Sequence, residues 1–477
     1  MTEATGIQHA RPDMNLIAEI SRRHPREALA IISRGRSVTY GELFEGAERI
    51  AVEIRDAAKS LGRHPRIGLH CPNGLDYIIL AMGILLADAC LVPLAEELTA
   101  EEREEITRIT ALDYTIEGHP AGNGHTLAGV EGEEPAFPES NFQALNPAFV
   151  RFSSGTTGTS KGVVLSHETL LERISAANEG LKIGPKDCVL WMLPLAHHFA
   201  VSIVLYLYAG AVTVLESSSA REDILAAAET NEATVMYGAP FHYAMLSADP
   251  GGFRWPSLRL AVSTAAALSE ATARAFRKRF DQPLVQGLGI IEVGLSILNL
   301  DDAEQHPTAI GRALPAYQVA LLDIDGNPVP DGETGEFHVR GPGLLDAYLV
   351  PWDPMPLRDG YFASGDLVVR SLDGLLTLVG RSKSVINVAG MKVFPEEVEA
   401  ILNLHPGVRA SRVVGQDHPY TGQISVAEII PEDPSSAPKP IDLQRHCRQH
   451  LSAYKVPLRF LAVDELPRTA SGKIRRN

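Results

Sequence analysis

The chain has 477 residues, 45% hydrophobic and 21% charged, enough for several packed units rather than one core. Its formal net charge of -16 argues against a nucleic-acid binder, because phosphate backbones are held by an excess of Lys and Arg. Any nucleotide on such a chain has to be gripped by local groups.

Residues 1–13 are polar and contain no apolar stretch of the signal-peptide kind. Thr39-Tyr40-Gly41-Glu42 has the capping-box spacing, and Leu43, Ala47, Ile50 and Ile54 recur on one face, predicting a helix over Tyr40–Ala57. Short apolar runs at 66–70, 189–193, 211–215 and 234–237 predict buried strands alternating with helices, an α/β fold with largely parallel sheets. Segments 77–94 and 199–215 are apolar enough to raise the question of a membrane span. Asp88 interrupts the first and Ser202, Gly210 and Thr213 punctuate the second, so both are expected as buried helix and strand. The acidic stretches 101–105 and 131–134 read as solvated surface.

After Ala309 the pattern predicts hairpin-rich β structure, with Asp325-Gly326 between the runs 319–322 and 335–340. A helix over 396–403, a strand near Val413 and a Pro/Ser loop at 431–440 predict a small α+β unit at the end of the chain. The expected division is a large domain over 1–382, β-rich at about 310–380, and a small one over 383–477. Cys71, Cys90, Cys188 and Cys447 lie far apart without metal spacing, which points to a reduced, cytoplasmic setting.

The most informative segment is Phe152-Ser153-Ser154-Gly155-Thr156-Thr157-Gly158-Thr159-Ser160-Lys161-Gly162. Glycines let the backbone approach an anion closely, Ser and Thr add donors, and Lys161 adds a mobile positive charge, so the composition suits a phosphate cradle. A flexible linker has similar composition, but linkers seldom sit between apolar runs such as 148–152 and 163–165. A Walker-type loop needs Ser or Thr after the lysine, and Gly162 stands there instead.

The segment resembles the signature loop of the adenylate-forming superfamily, which includes acyl- and aryl-CoA synthetases, adenylation domains of peptide synthetases and firefly-type luciferases. Four further segments follow in that superfamily's order, and the likeness runs from Thr39 to Arg476. The resemblance implies a large AMP-binding domain and a small mobile one. It also implies ATP, Mg²⁺ and a carboxylic acid as reactants, with a thiol of coenzyme A or of a separate carrier protein as acceptor.

Residue by residue, it implies that Ser153, Ser154, Gly155, Thr156, Thr157, Gly158, Thr159 and Lys161 hold the departing β- and γ-phosphates. Gln286-Gly287-Leu288-Gly289-Ile290-Ile291-Glu292 is similar to the superfamily's Q-G-Y-G-x-T-E, where the glutamate supports Mg²⁺. Hard oxygen ligation is what that ion demands, so Glu292 is the metal candidate. Leu288 replaces the aromatic residue beside adenine, and Ile291 replaces a threonine that touches the α-phosphate, a contact of about 1 to 2 kcal/mol if nothing replaces it. Ala265 and Ala266 stand in the segment against which adenine would lie.

Gly360-Tyr361-Phe362-Ala363-Ser364-Gly365-Asp366 resembles the ribose-binding segment, with Asp366 accepting from both ribose hydroxyls and Arg381 reaching ribose or phosphate. Lys383 falls on the hinge position. Lys473, in Thr469-Ala470-Ser471-Gly472-Lys473, matches the catalytic lysine, whose ammonium would stabilise charge growing on phosphorus and pyrophosphate. Gly390 belongs to the loop brought to the thiol tunnel. Asn387 stands where luciferases carry a second lysine, which weakens that reading.

His197-His198-Phe199 matches the acid-pocket position, with His198 flanking the carboxylate. The pair has no Cys or His partners at ligand spacing, so a metal role for it is disfavoured. Tyr237, Gly238, Gly287, Gly289 and Gly294 are further pocket candidates. The Asp that amino-acid-activating relatives place here is missing, so an aryl or aliphatic acid is expected. Two alternatives remain open: an enzyme that loads a partner carrier protein, and a catalytically weakened nucleotide- or acyl-binding protein.

Overall fold

A computed structural model describes residues 14–467, except 120–123, 132–133, 153–160, 217, 219, 250, 265, 355 and 389–390 and the side chains of Lys383 and Lys392. The helix Tyr40–Ala57 forms as its capping box predicts. The Thr39 side chain accepts from the Glu42 N–H, and the Glu42 carboxylate accepts from the Thr39 N–H at 2.8 Å.

Two large sheets carry the first part of the chain, one of nine strands and one of eight. In the nine-stranded sheet Cys188–Trp191, Val212–Leu215, Val235–Gly238, Leu260–Ser263 and Leu284–Ile290 run parallel, and an antiparallel strand, Gly294–Leu298, follows the last of them. The eight-stranded sheet has parallel strands Arg66–His70, Cys90–Pro93, Tyr114–Gly118 and Pro147–Phe152. Alternate apolar residues of both sheets, such as Ile67, Leu91, Val189 and Val262, share one core cluster, while Leu190, Met236 and Ala261 pack in a second and Cys90, Val92 and Val150 in a third. The two apolar stretches resolve as expected. The helix Leu75–Leu86 precedes the strand Cys90–Pro93, and a helical run ending at Ala209 precedes Val212–Leu215. No helix among the described residues is long and apolar enough to cross a membrane.

A four-stranded antiparallel sheet follows, in which Gln318–Leu322 pairs with Thr334–Arg340, and Phe362–Arg370 with Leu376–Arg381. Beyond Arg381 a five-stranded sheet is built on the long hairpin of Val408–His418 and Gly422–Pro431. Its core holds Ile386, Val398, Leu402, Val413, Leu443 and Cys447 from strands and from the helices Pro395–Leu402 and Pro440–His450. The two parts meet closely: a Cβ at Gly380 would come within 2.6 Å of Glu396 Oε2.

The helix His167–Leu181 carries two buried titratable side chains that fix this frame. His167 is 1% exposed, and its Nδ1 accepts the Leu16 N–H at 3.2 Å. Arg173, also 1% exposed, donates from Nη1 to the Ile291 carbonyl at 2.8 Å, from Nη2 to the Glu292 carbonyl at 3.3 Å, and from Nε and Nη2 to Gly343 at 3.0 and 2.7 Å. Two glycines admit it. Gly294 has φ +88° and a Cβ there would lie 2.6 Å from Arg173 Cγ, while at Gly343, with φ +69°, a Cβ would strike the Arg173 backbone at 2.6 Å.

Both features yield measurable outcomes. Burial lowers the His167 pKa to about 4 from 6.5, so the unfolded chain takes up a proton that the folded chain refuses. Its contribution is present above pH 6.5 and is lost as the pH falls through about 4. Between pH 7.5 and pH 5 in urea titrations, wild type should lose about 2 kcal/mol more stability than His167→Asn, which keeps an acceptor for Leu16 without titrating. Gly294→Ala combines left-handed strain with a clash against a buried side chain and should cost about 2 kcal/mol or more in the same assay.

Candidate active site

Parallel sheets bind ligands beyond the carboxyl ends of their strands, and the site candidates gather there. Trp191, Tyr237, Val262 and Val285 stand in register, followed one residue on by Gly238, Ser263 and Gln286. Gln286, 6% exposed, spends its whole amide on this edge. Its Oε1 accepts the Leu268 N–H at 3.0 Å, and its Nε2 donates to the Thr308 and Ala309 carbonyls at 3.0 and 3.1 Å. The Thr264 N–H donates to the Gly238 carbonyl at 3.0 Å. These bonds hold the segment that carries Ala266, which is exposed, beside Gly287 and half-buried Leu288. Ala265 lies outside the described residues.

Strands Pro147–Phe152 and Gly162–Ser166 pair antiparallel, with Phe152 opposite Gly162, on either side of the Gly/Ser/Thr segment in sequence. Ser153, Ser154, Gly155, Thr156, Thr157, Gly158 and Thr159 lie outside the described residues, but Lys161 does not. Its ammonium stands 4.4 Å from the centroid of the Tyr348 ring, and the Tyr348 hydroxyl donates to Glu292 Oε1 at 3.1 Å. The candidate phosphate lysine and the candidate metal carboxylate thus meet on one tyrosine. Tyr348 belongs to no motif identified in the sequence. Its pairing opposite Val163 helps bring it here.

Among the described residues no group of three or more His, Cys, Asp or Glu forms a metal cage. A lone carboxylate fits Mg²⁺ all the same, since that ion is commonly held by one or two carboxylates together with substrate phosphates.

The acid-pocket candidates separate. His197 turns to Glu97, its Nε2 within hydrogen-bond distance of Oε1, and its carbonyl accepts from Arg151 Nη1 at 2.6 Å. Withdrawal from solvent lowers the Arg151 pKa to about 10, which leaves it cationic at neutral pH. His198 instead lies edge-on to Trp191, with centroids 5.4 Å apart, and Trp191 stacks on Tyr237 at 5.6 Å. Two expectations need correction. Phe199 is 0% exposed and packs edge-on against Tyr77, so it backs the wall rather than lining it. It stands at the start of a π-helical turn over Phe199–Ile203. Gly294 likewise turns its bare face to Arg173 rather than to a pocket. Gly289 is exposed, at the open end of its strand.

Asp366 and Arg381 are cross-strand partners, with Arg381 Nε 2.8 Å from Asp366 Oδ1. The carboxylate is buried and the guanidinium half exposed, so the pair presents one ion-paired acceptor next to the chain junction. Lys383 follows in a single 3₁₀ turn, Ser382–Ser384. Gly390 and Lys473 lie outside the described residues.

Comparison with known proteins was made for the whole chain. The model of the AMP-binding enzyme family matches residues 17–349, and that of the AMP-binding enzyme C-terminal domain matches 397–473. Triostin synthetase I of Streptomyces triostinicus is 30% identical over 98% of this chain and 94% of its own. A long-chain-fatty-acid–CoA ligase of Escherichia coli is 30% identical over 94% of this chain and 90% of its own. In three dimensions the ATP-bound crystal structure of MatB from Rhodopseudomonas palustris superimposes with a TM-score of 0.85, covering 97% of both chains at 24% identity. The family models cover both parts of the chain in the order its motifs set out, and the chain belongs to the AMP-binding enzymes of the adenylate-forming superfamily.

Proposed function

We propose that this chain activates a carboxylic acid with ATP and passes the acyl group to the thiol of coenzyme A. In the first step a carboxylate oxygen attacks the α-phosphorus. The bond to the β-phosphate breaks, and pyrophosphate leaves with an acyl-adenylate formed. In the second step the thiol, losing its proton, attacks the acyl carbonyl and AMP departs. The observation that carries the reading is the meeting of Lys161 and Glu292 on Tyr348, because a cation for phosphate and a hard carboxylate are what an Mg²⁺-nucleotide requires together.

The chain's own residues divide the work. Lys161 and the segment before it hold the departing phosphates. Glu292 would hold Mg²⁺, which when bound neutralises phosphate charge. Asp366 accepts from the ribose hydroxyls while Arg381, paired with it, keeps it aimed. Gln286 fixes the adenine-facing segment. His198, beside Trp191 and Tyr237, flanks the acid, which is aryl or aliphatic. Lys473 supplies positive charge to the adenylating transition state. Residues 383–477 turn about Lys383 between the two steps, and the enzyme works in the cytoplasm.

Lys473→Ala should slow carboxylate-dependent pyrophosphate exchange about 100-fold or more while thioester formation from supplied acyl-AMP is largely retained. Equal loss in both half-reactions contradicts the role. The exchange assay across aryl, short-chain and long-chain acids tests the function itself. ATP binding without exchange for any acid identifies a nucleotide-binding protein instead, the outcome that Leu288 and Ile291 would explain. Transfer to a phosphopantetheinyl carrier but not to coenzyme A identifies a carrier-loading enzyme.

A further inference from the structure

We propose that Tyr348 is a positioning residue that holds the phosphate lysine and the metal carboxylate apart and aims each at its own ligand. The inference rests on the ATP and Mg²⁺ reading above. Lys161 and Glu292 carry opposite charges on neighbouring segments, and an ammonium and a carboxylate left to themselves close into an ion pair. Such a pair would cancel both groups before a nucleotide arrived.

The geometry prevents this by giving each charge a different part of one side chain. The ring face takes the ammonium, 4.4 Å from the centroid, where the aromatic quadrupole attracts a cation without neutralising it. The hydroxyl at the ring edge donates to Glu292 Oε1 at 3.1 Å, which fixes the direction of the carboxylate. Tyr348 can act as a spacer because its own position is fixed. It is 9% exposed, and its backbone pairs with Val163 on one side and Asp353 on the other.

A second observation, independent of the side chains, supports the role. The main chain on either side of Tyr348 is bonded to the same two segments. The Leu345 N–H donates to the Glu292 carbonyl at 2.7 Å, and the Leu349 N–H donates to the Gly162 carbonyl at 2.7 Å. Residues 345–349 therefore form a strap from the exit of the phosphate loop to the Glu292 turn, with Tyr348 projecting at the join. The spacing between the lysine and the carboxylate is set by this strap rather than by either group.

Calorimetric titration of the full chain with ATP, in EDTA and in Mg²⁺, separates the two halves of the role. Tyr348→Phe keeps the ring and removes the hydroxyl. It should bind metal-free ATP as wild type does, yet lose about tenfold of the affinity that Mg²⁺ adds. Tyr348→Leu removes both and should weaken ATP binding with and without the metal in protein that a thermal melt shows to be folded at the titration temperature. If the leucine variant does not fold, the phenylalanine variant decides alone. A wild-type Mg²⁺ response in Tyr348→Phe overturns the proposal, as does equal weakening with and without metal. Wild-type protein that binds no ATP overturns the nucleotide reading itself and this inference with it.

Discussion

The buried guanidinium of Arg173 is the interaction on which the candidate site depends. One side chain, sealed from solvent, ends four hydrogen bonds on the carbonyls of Ile291, Glu292 and Gly343. Burying a cation is costly, and the converging carbonyl dipoles offset that cost. That dependence runs both ways. The arginine cannot be held unless the turn after Leu284–Ile290 and the segment at Gly343 approach together, and those two segments carry Glu292 and lead to Tyr348. A stability device of the large core thus sets the coordinates of the chemistry.

What the sequence disclosed and what it hid follow from the range of the interactions involved. The helix at Tyr40–Ala57 was legible because a capping box and its apolar stripe act within a few residues. The buried strands were legible because parallel sheets covered on both faces need continuous apolar runs, such as Val189, Leu190 and Trp191. Asp366, Arg381, Glu292 and Lys161 were legible as motif positions. That Asp366 and Arg381 are each other's partners was not, since it depends on the register of two strands.

The contacts of Gln286, Arg151, Arg173 and Tyr348 were hidden for the same reason. Arg173 sits in an ordinary amphipathic helix, and nothing near it in sequence says that its guanidinium will reach Ile291 and Gly343. Gln286 was visible as part of a motif, but its task of tying Leu268 to Thr308 and Ala309 was not. Phe199 was read from its motif position beside the two histidines, and a motif position does not say which way a ring faces; here it is buried against Tyr77 at the start of a π-helical turn.

The placing of a cation, Lys161, beside Tyr348 and Glu292 in a chain whose net charge is -16 has a kinetic consequence. At distances beyond the Debye length, about 8 Å at physiological salt, a polyanion meets screened repulsion, and only at contact does it find the lysine. Added salt therefore acts in opposite directions on the two stages, easing the encounter while loosening the hold. For a protein of this charge, binding the nucleotide together with a divalent cation, as a less negative complex, lowers the barrier to arrival as well as the energy of the bound state.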